Sequence, residues 1–401
     1  MKENFYRKVL KNGMTVILEK RNLPVVSVVF AVRSGGVNER EEEKGISHFI
    51  EHMLYKGTPS RSAKKIANEI EKNGGELNAF TSEELTAYWC KIPSKHLNLA
   101  LNVLSDTVKN PLLDEKKLEK ERLVIFEEIK MYHDSPRMYV LNEIQKSLYD
   151  GTMKINLVGT FETMKSINRK NMIEKFKQVY TPNNMILCVV GNADFDFLVK
   201  FAETTFDNRK GKIPTIKFNL KNKSKIEYRE GIDQANLIFA YHIPLANDPL
   251  CYAAFALNSL MAVGLSSRLF AEIREKRNLA YAIGGESNIN KTFAYNLIYV
   301  GTMKKNVGKV KTLILKEFEK VAKELNEKEL NQTKEQLIGN YHISMEDSQI
   351  QMVNLLVSEI QGNAEKFYDF EEKISKVELE DVKKLAQKIK KNYSFFALVP
   401  K

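Results

Sequence analysis

Cysteine is scarce in this 401-residue chain, with three in all. Cys90, Cys188 and Cys251 lie far apart, each in an apolar stretch. That excludes a disulfide framework and points to buried free thiols in a reducing compartment. No run approaches the roughly 18 apolar residues of a membrane span. The first residues, Met1 to Arg7, lack the apolar core of a signal peptide. These absences lead us to expect a soluble, cytoplasmic protein without a membrane partner. Charge of one sign is only in modest excess, with Lys+Arg 62 against Asp+Glu 51 and a net charge of +11. The bases are interspersed with acids, as in Glu39-Arg40-Glu41-Glu42-Glu43-Lys44 and Glu272-Ile273-Arg274-Glu275-Lys276-Arg277. With no recognition motif beside it, charge of this kind reads as solvated surface, and no nucleic-acid partner is expected.

What is present is globular: 43% hydrophobic and 28% charged residues. The length allows two domains of about 200 residues each. β-Branched alternation over residues 5–33, with Asn12-Gly13 as a hairpin turn, predicts strands at Thr15–Glu19 and Val26–Val32. Ser62 opens a helix that Asn73-Gly74-Gly75 ends. Strands are expected at Glu76–Thr81, Leu85–Ile92 and Met185–Gly191, and helices over 94–109, 114–133 and 136–149. Residues 207–225, with Gly211 and Pro214, read as a linker between an N-terminal domain, 1–206, and a C-terminal one, 226–401. The second part repeats the series: a strand at Ala235–Tyr241, helices near 248–261 and 266–276, strands near 279–303, three long helices and a last strand at Phe395–Val399. Leu113-Asp114-Glu115-Lys116-Lys117-Leu118 can be laid over Leu325-Asn326-Glu327-Lys328-Glu329-Leu330, as in an internal duplication.

The chemistry concentrates in His48-Phe49-Ile50-Glu51-His52. On a helix turning about 100° per residue, Glu51 lies about 60° to one side of His48 and His52 about 40° to the other. Ile46, Phe49, Ile50, Met53 and Leu54 would anchor such a helix in a core. Two histidines one turn apart can share one Zn²⁺ through neutral ring nitrogens, and a carboxylate on the same face can take a proton from water. The order His-x-x-Glu-His is that of the inverted zincins. Alone, the pentapeptide also fits a surface or core histidine pair, since zinc requires a third protein ligand. Glu121 and Glu128, two turns apart on the 114–133 helix, share one face. Glu127 reads as surface charge. No second His-x-x-Glu-His occurs, and the duplicate register sets Thr333 opposite Glu121 and Asn340 opposite Glu128.

The chain resembles the pitrilysin/insulinase family of zinc metallopeptidases, above all short members similar to the mitochondrial processing peptidase β subunit. The resemblance rests on Gly45 to Gly57, on Gly74-Gly75 with Asn78-Ala79-Phe80-Thr81, on Glu121 to Ile129, and on Tyr180 to Met185. A further stretch, Ser267 to Tyr281, matches another signature of the family, with Asn278 where glycine is usual. The resemblance implies an α+β fold of two similar rolls, each a mainly antiparallel sheet covered by helices on one side. It implies His48, His52 and Glu128 as Zn²⁺ ligands, Glu128 lying 76 residues beyond His52. Glu51 would be the general base and Glu121 the carboxylate that orients a ligand imidazole. Asn78, Ala79 and Phe80 would form the strand against which a peptide substrate lies. Arg274 and Tyr281 would reach the reacting peptide from the C-terminal half. The implied protein is a zinc endopeptidase working in a chamber of two chains, a homodimer or a heterodimer with a paralogue. The alternative is a non-catalytic structural or peptide-binding subunit of a hetero-oligomer.

Overall fold

The computed structural model describes residues 4–401. Eleven strands and fourteen α-helices are present among the described residues. The strands are β1 (Phe5–Val9), β2 (Thr15–Lys20), β3 (Val25–Val32), β4 (Glu76–Thr81), β5 (Thr86–Pro93), β6 (Met185–Gly191), β7 (Ser224–Arg229), β8 (Ala235–His242), β9 (Ala280–Ile289), β10 (Ala294–Thr302) and β11 (Ser394–Pro400). The helices are α1 (Ile46–Leu54), α2 (Ala63–Glu71), α3 (Leu97–Lys109), α4 (Glu115–Asp134), α5 (Pro136–Leu148), α6 (Phe161–Ser166), α7 (Arg169–Val179) and α8 (Phe195–Thr205), followed by α9 (Leu250–Ala262), α10 (Val307–Glu324), α11 (Glu327–Ser344), α12 (Ser348–Gln361), α13 (Phe370–Ser375) and α14 (Leu379–Ile389). The stretch 266–276, expected as an ordinary helix, is π-helical over Phe270–Glu275.

The chain divides into two compact units. The first gathers the residues up to Lys130, Ile155–Lys217 and Ser344–Tyr368. Its sheet has the order β1-β2-β6-β3-β5-β4, in which only β2 and β6 run parallel. Strand alternation sends Val16, Leu18, Val28, Phe30, Leu187 and Val189 to one face, where they pack with α1, α2, α3 and α4. The family resemblance implies helices on one side only. The opposite face is covered too: Ile17, Val29, Ala31, Trp89, Ile186 and Cys188 pack against Met352, Leu355 and Leu356 of α12. Burial on both faces explains why Val25–Val32 and Met185–Gly191 read as nearly continuous apolar runs.

The second unit gathers Met131–Lys154, Phe218–Ile343 and Asp369–Lys401. Its sheet runs β7-β11-β8-β10-β9, with β7 and β11 parallel and the other pairs antiparallel. Leu237, Phe239, Tyr241, Ile298 and Val300 pack with α9, α10 and α14 on one face. On α5, Tyr139 meets the ring of Phe396 edge-on, and the Arg137 guanidinium lies 5.0 Å from the centre of the Tyr299 ring. The two mostly antiparallel sheets covered by helices are the predicted α+β architecture. Glu327, which opens α11, lies 212 residues after Glu115, which opens α4, and the same offset takes Pro136–Leu148 onto 348–360, within α12. The duplicate helices α5 and α12 are therefore exchanged: the earlier lies in the second unit and the later in the first.

Polar groups fasten α12 to its sheet. The Glu359 carboxylate, 1% exposed, accepts from Arg7 Nε and Nη2 at 2.8 Å each, from Arg33 Nη2 at 2.7 Å and from the Ala364 amide at 3.0 Å. Burial pushes its pKa up, but the bonds from Arg7 and Arg33 more than offset this and hold it below the ordinary value. Glu359→Ala would strip two guanidinium groups of their partner. It should cost about 2–3 kcal/mol, below the figure for a fully buried pair because both arginines keep some solvent contact. Trp89, the one tryptophan, packs in the same cluster as α12, so urea unfolding followed by its fluorescence reports the loss.

Candidate metal centre

Helix α1 begins after Gly45, whose φ of +94° suits glycine and where a Cβ would stand 2.7 Å from the Val158 carbonyl oxygen. Ile46, Phe49, Ile50, Met53 and Leu54 are buried, as their spacing predicts, which turns His48, Glu51 and His52 to the opposite face. Helix α4 brings two carboxylates to that face. His48 Nε2 lies 3.5 Å and His52 Nε2 3.7 Å from Glu128 Oε2. These separations are too long for hydrogen bonds. They match the edge of a tetrahedron with ligand bonds near 2.1 Å, about 3.4 Å. One ligand atom from each of His48, His52 and Glu128 falls within 4.8 Å of the others. Two neutral imidazoles and one carboxylate suit Zn²⁺, so the residues present fit the ion.

Electrostatics prepares the donors. Burial, then the neighbouring His52, pushes the His48 pKa down to about 3, so the ring is neutral near pH 7. Burial also lowers His52, against the pull of Glu121. His52 Nδ1 stands 3.3 Å from Glu121 Oε2, and the other Glu121 oxygen is 2.7 Å from Lys56 Nζ. A carboxylate in that place can accept a proton from Nδ1, the side of the ring turned away from Glu128. His48 Nδ1 is buried with no hydrogen-bond partner among the described residues. Glu51 accepts a 2.6 Å bond from the Thr81 hydroxyl. Burial, with the charge of Glu128, nevertheless lifts the Glu51 pKa to about 7 against that bond.

Strand β4, with Asn78, Ala79 and Phe80, ends its sheet, so one of its edges has no further strand beside it among the described residues. The Asn78 carbonyl accepts from the Tyr55 hydroxyl at 2.8 Å, and Asn78 Oδ1 accepts from the Ala79 amide at 2.8 Å. Arg274 and Tyr281 lie in the second unit. The Arg274 guanidinium is 4.8 Å from the centre of the Phe270 ring, and the half-exposed Tyr281 ring lies over Gly301, where a Cβ would collide with it. Asn278 takes φ +52°, the left-handed turn expected of the residue that replaces glycine. Glu127 is exposed, as expected, and pairs with Lys130.

Sequence reasoning missed Thr81 and Lys56. Both obey local periods, Thr81 lying two residues beyond Ala79 on the strand face turned to α1, and Lys56 one helical turn beyond His52. The charged run 39–44 needs correction. Glu39 and Lys44 are fully buried rather than solvated, because the run folds back under the start of α1.

Residues 15–160 match the family described as insulinase (peptidase family M16), and residues 166–337 match the peptidase M16 inactive domain. An uncharacterized zinc protease of Bacillus subtilis, YmxG, is 32% identical over 352 residues, covering 86% of each chain. An uncharacterized zinc protease of Rickettsia felis is 33% identical over 358 residues, covering 86% of this chain and 85% of that protein. The crystal structure of a Helicobacter pylori protease superposes with a TM-score of 0.91 at 21% identity, covering 99% of both chains. With these matches along most of its length, the chain belongs to the insulinase family of peptidases, M16.

Proposed function

We propose that the chain is a zinc metallo-endopeptidase that cuts peptides or unfolded segments. The observation that carries this reading is the convergence of His48 Nε2, His52 Nε2 and Glu128 Oε2, with Glu51 on the same face of α1. The zinc-protease names of the relatives support it. The N-terminal half, 1–206, supplies the metal set. The C-terminal half, 226–401, matched in part by an inactive domain, supplies Arg274 and Tyr281. Two chains, identical or paralogous, would close a chamber around the substrate, and the reducing compartment expected for the three buried thiols is the cytoplasm. A non-catalytic subunit is disfavoured, because such a chain has no need of a complete ligand set with its base.

Zn²⁺, when bound, polarises the scissile carbonyl and makes water a nucleophile near neutral pH. Glu51 takes the proton that the attacking water loses and delivers it to the departing amine. Thr81 keeps that carboxylate aimed while leaving one oxygen for the proton. Glu121 fixes the tautomer of His52. The edge of β4 at Asn78, Ala79 and Phe80 would take the substrate as an added strand. Arg274 would bind its backbone, and the Tyr281 hydroxyl would donate to the developing oxyanion.

Three outcomes test this reading. Glu51→Gln should retain zinc by elemental analysis and lose about 10²–10⁴-fold in kcat on a fluorogenic peptide, whereas His52→Ala and Glu128→Gln should lose zinc itself. Near-normal turnover in Glu51→Gln would sink the assignment. Tyr281→Phe should lower kcat by about 10²–10³-fold and Arg274→Ala should chiefly raise KM, with zinc content unchanged. Wild-type kinetics in both would leave the C-terminal half without a part in the chemistry. The third outcome concerns the metal-free protein, in which the folded Glu51 pKa of about 7 exceeds the ordinary 4.5. Between those values the native state holds a proton that the unfolded chain has released, so this group's contribution to stability falls as pH rises across the window. In chelator, Glu51→Gln should therefore raise Tm relative to wild type more at pH 8 than at pH 5. An equal difference at both pH values would contradict the raised value.

A further inference from the structure

We propose that Glu39 is a positioning residue for the zinc helix, setting the place of His48 and Glu51 through the first turn of α1. The proposal rests on the reading of α1 as a zinc-binding helix. Glu39 is fully buried, six residues before Gly45, which caps the helix. One carboxyl oxygen, Oε2, accepts from the Gly45 amide at 2.9 Å, and the other, Oε1, accepts from the Ser47 amide at 2.7 Å. A helix start leaves an amide such as that of Ser47, at the second helical position, without a partner, and a serine, threonine, aspartate or asparagine ordinarily satisfies it from the capping position. Here that position is Gly45, and the Val158 carbonyl leaves no room for any side chain there. The cap must come from elsewhere in the fold, and Glu39 supplies it.

The second half of the device is Lys44, also fully buried. Its Nζ donates to the Gly36 carbonyl at 3.0 Å and to Glu83 Oε2 at 3.2 Å. Burial raises the proton affinity of Glu39, and the Lys44 charge with the two amide bonds opposes it. Glu83 lies two residues beyond Thr81, the donor to Glu51. The start of α1 and the turn that follows β4 are thus tied to one buried polar knot on one side, and Thr81 ties them again across Glu51. His48 follows Ser47 directly, so a displacement of that amide passes straight into a ligand. Misplacement of a reacting group by about 1 Å can cost about 10²-fold in rate.

The test uses the full chain with zinc, measuring affinity by competition with a chromophoric chelator, kcat and KM on a fluorogenic peptide at saturating zinc, and Tm after chelation. Glu39→Gln keeps one acceptor oxygen and turns an NH₂ group towards the other amide donor. It should weaken zinc binding about 10–100-fold and lower kcat with KM little changed. Glu39→Asp, with two oxygens on a shorter stem, should recover part of both. A folded Glu39→Gln protein with wild-type zinc affinity and kcat, whatever its Tm, overturns the proposal. If Glu39→Gln yields no folded protein, Glu39→Asp decides, and wild-type values there assign Glu39 to folding alone. A wild-type protein that binds no zinc would instead overturn the reading of the site, before any Glu39 variant is compared.

Discussion

A helix of nine residues does not hold together in water, because nucleation costs more than so few hydrogen bonds return. Yet α1 is that short, and it presents both imidazoles and the Glu51 carboxylate. Everything the site does depends on tertiary contacts that keep this one helix still. Its apolar face is locked into the core beneath the sheet by Phe49, Ile50, Met53 and Leu54. Its start is held by Glu39, and just past its end the Tyr55 hydroxyl bonds the Asn78 carbonyl of β4. Its polar face is gripped by Thr81 from β4 and Glu121 from α4. The ligands are thus ordered by the fold, and little entropy remains to be lost when an ion binds.

Three carboxyl groups gather at this helix in different electrostatic settings. Glu121 has a cation, Lys56, on one oxygen and an imidazole on the other. Glu51 has one neutral donor, Thr81, and otherwise burial, so its proton affinity rises into the range where a group can take a proton and return it near pH 7. Glu128 faces two imidazoles whose proton affinity burial lowers, and it raises the proton affinity of Glu51 by its charge. A divalent cation between them relieves that repulsion. Binding at the site is therefore linked to stability: the ion favours the folded chain over the unfolded one by mass action.

The parts of this arrangement that the sequence disclosed are those set by short periods. His48, Glu51 and His52 fall on one face because a helix repeats every 3.6 residues, and the strands show themselves by alternation or by runs buried on both sides. Glu128 and Glu121 are remote from the pentapeptide, and periodicity could place them on one face but not at the histidines; resemblance to a family did that. Glu39 and Lys44 escaped because a charged string looks the same whether it lies in water or folds under a helix. Their partners are the Gly45 and Ser47 amides and Glu83, and backbone donors leave no mark in a sequence. Nor could the pattern of α5 or α12 say which sheet it would cover. An amphipathic stripe records that a helix has an apolar neighbour, not which one.

The duplication shows what the site costs the fold. Under the 212-residue offset, Leu118 and Ile125 of α4 meet Leu330 and Leu337 of α11, and all four are buried. The polar positions part company: buried Thr333 stands for Glu121 and exposed Asn340 for Glu128. Helix α9, which packs on the second sheet, buries ten of its thirteen residues. Both units need apolar helix faces, since each sheet must be covered. Neither sheet needs a cluster of half-buried imidazoles and carboxylates, which is unfavourable in a folded chain unless each member is paired or an ion holds them together. A fold built twice can therefore confine that penalty to one copy. The other, whose sheet is covered by the apolar faces of α9, α10 and α14, is free of it.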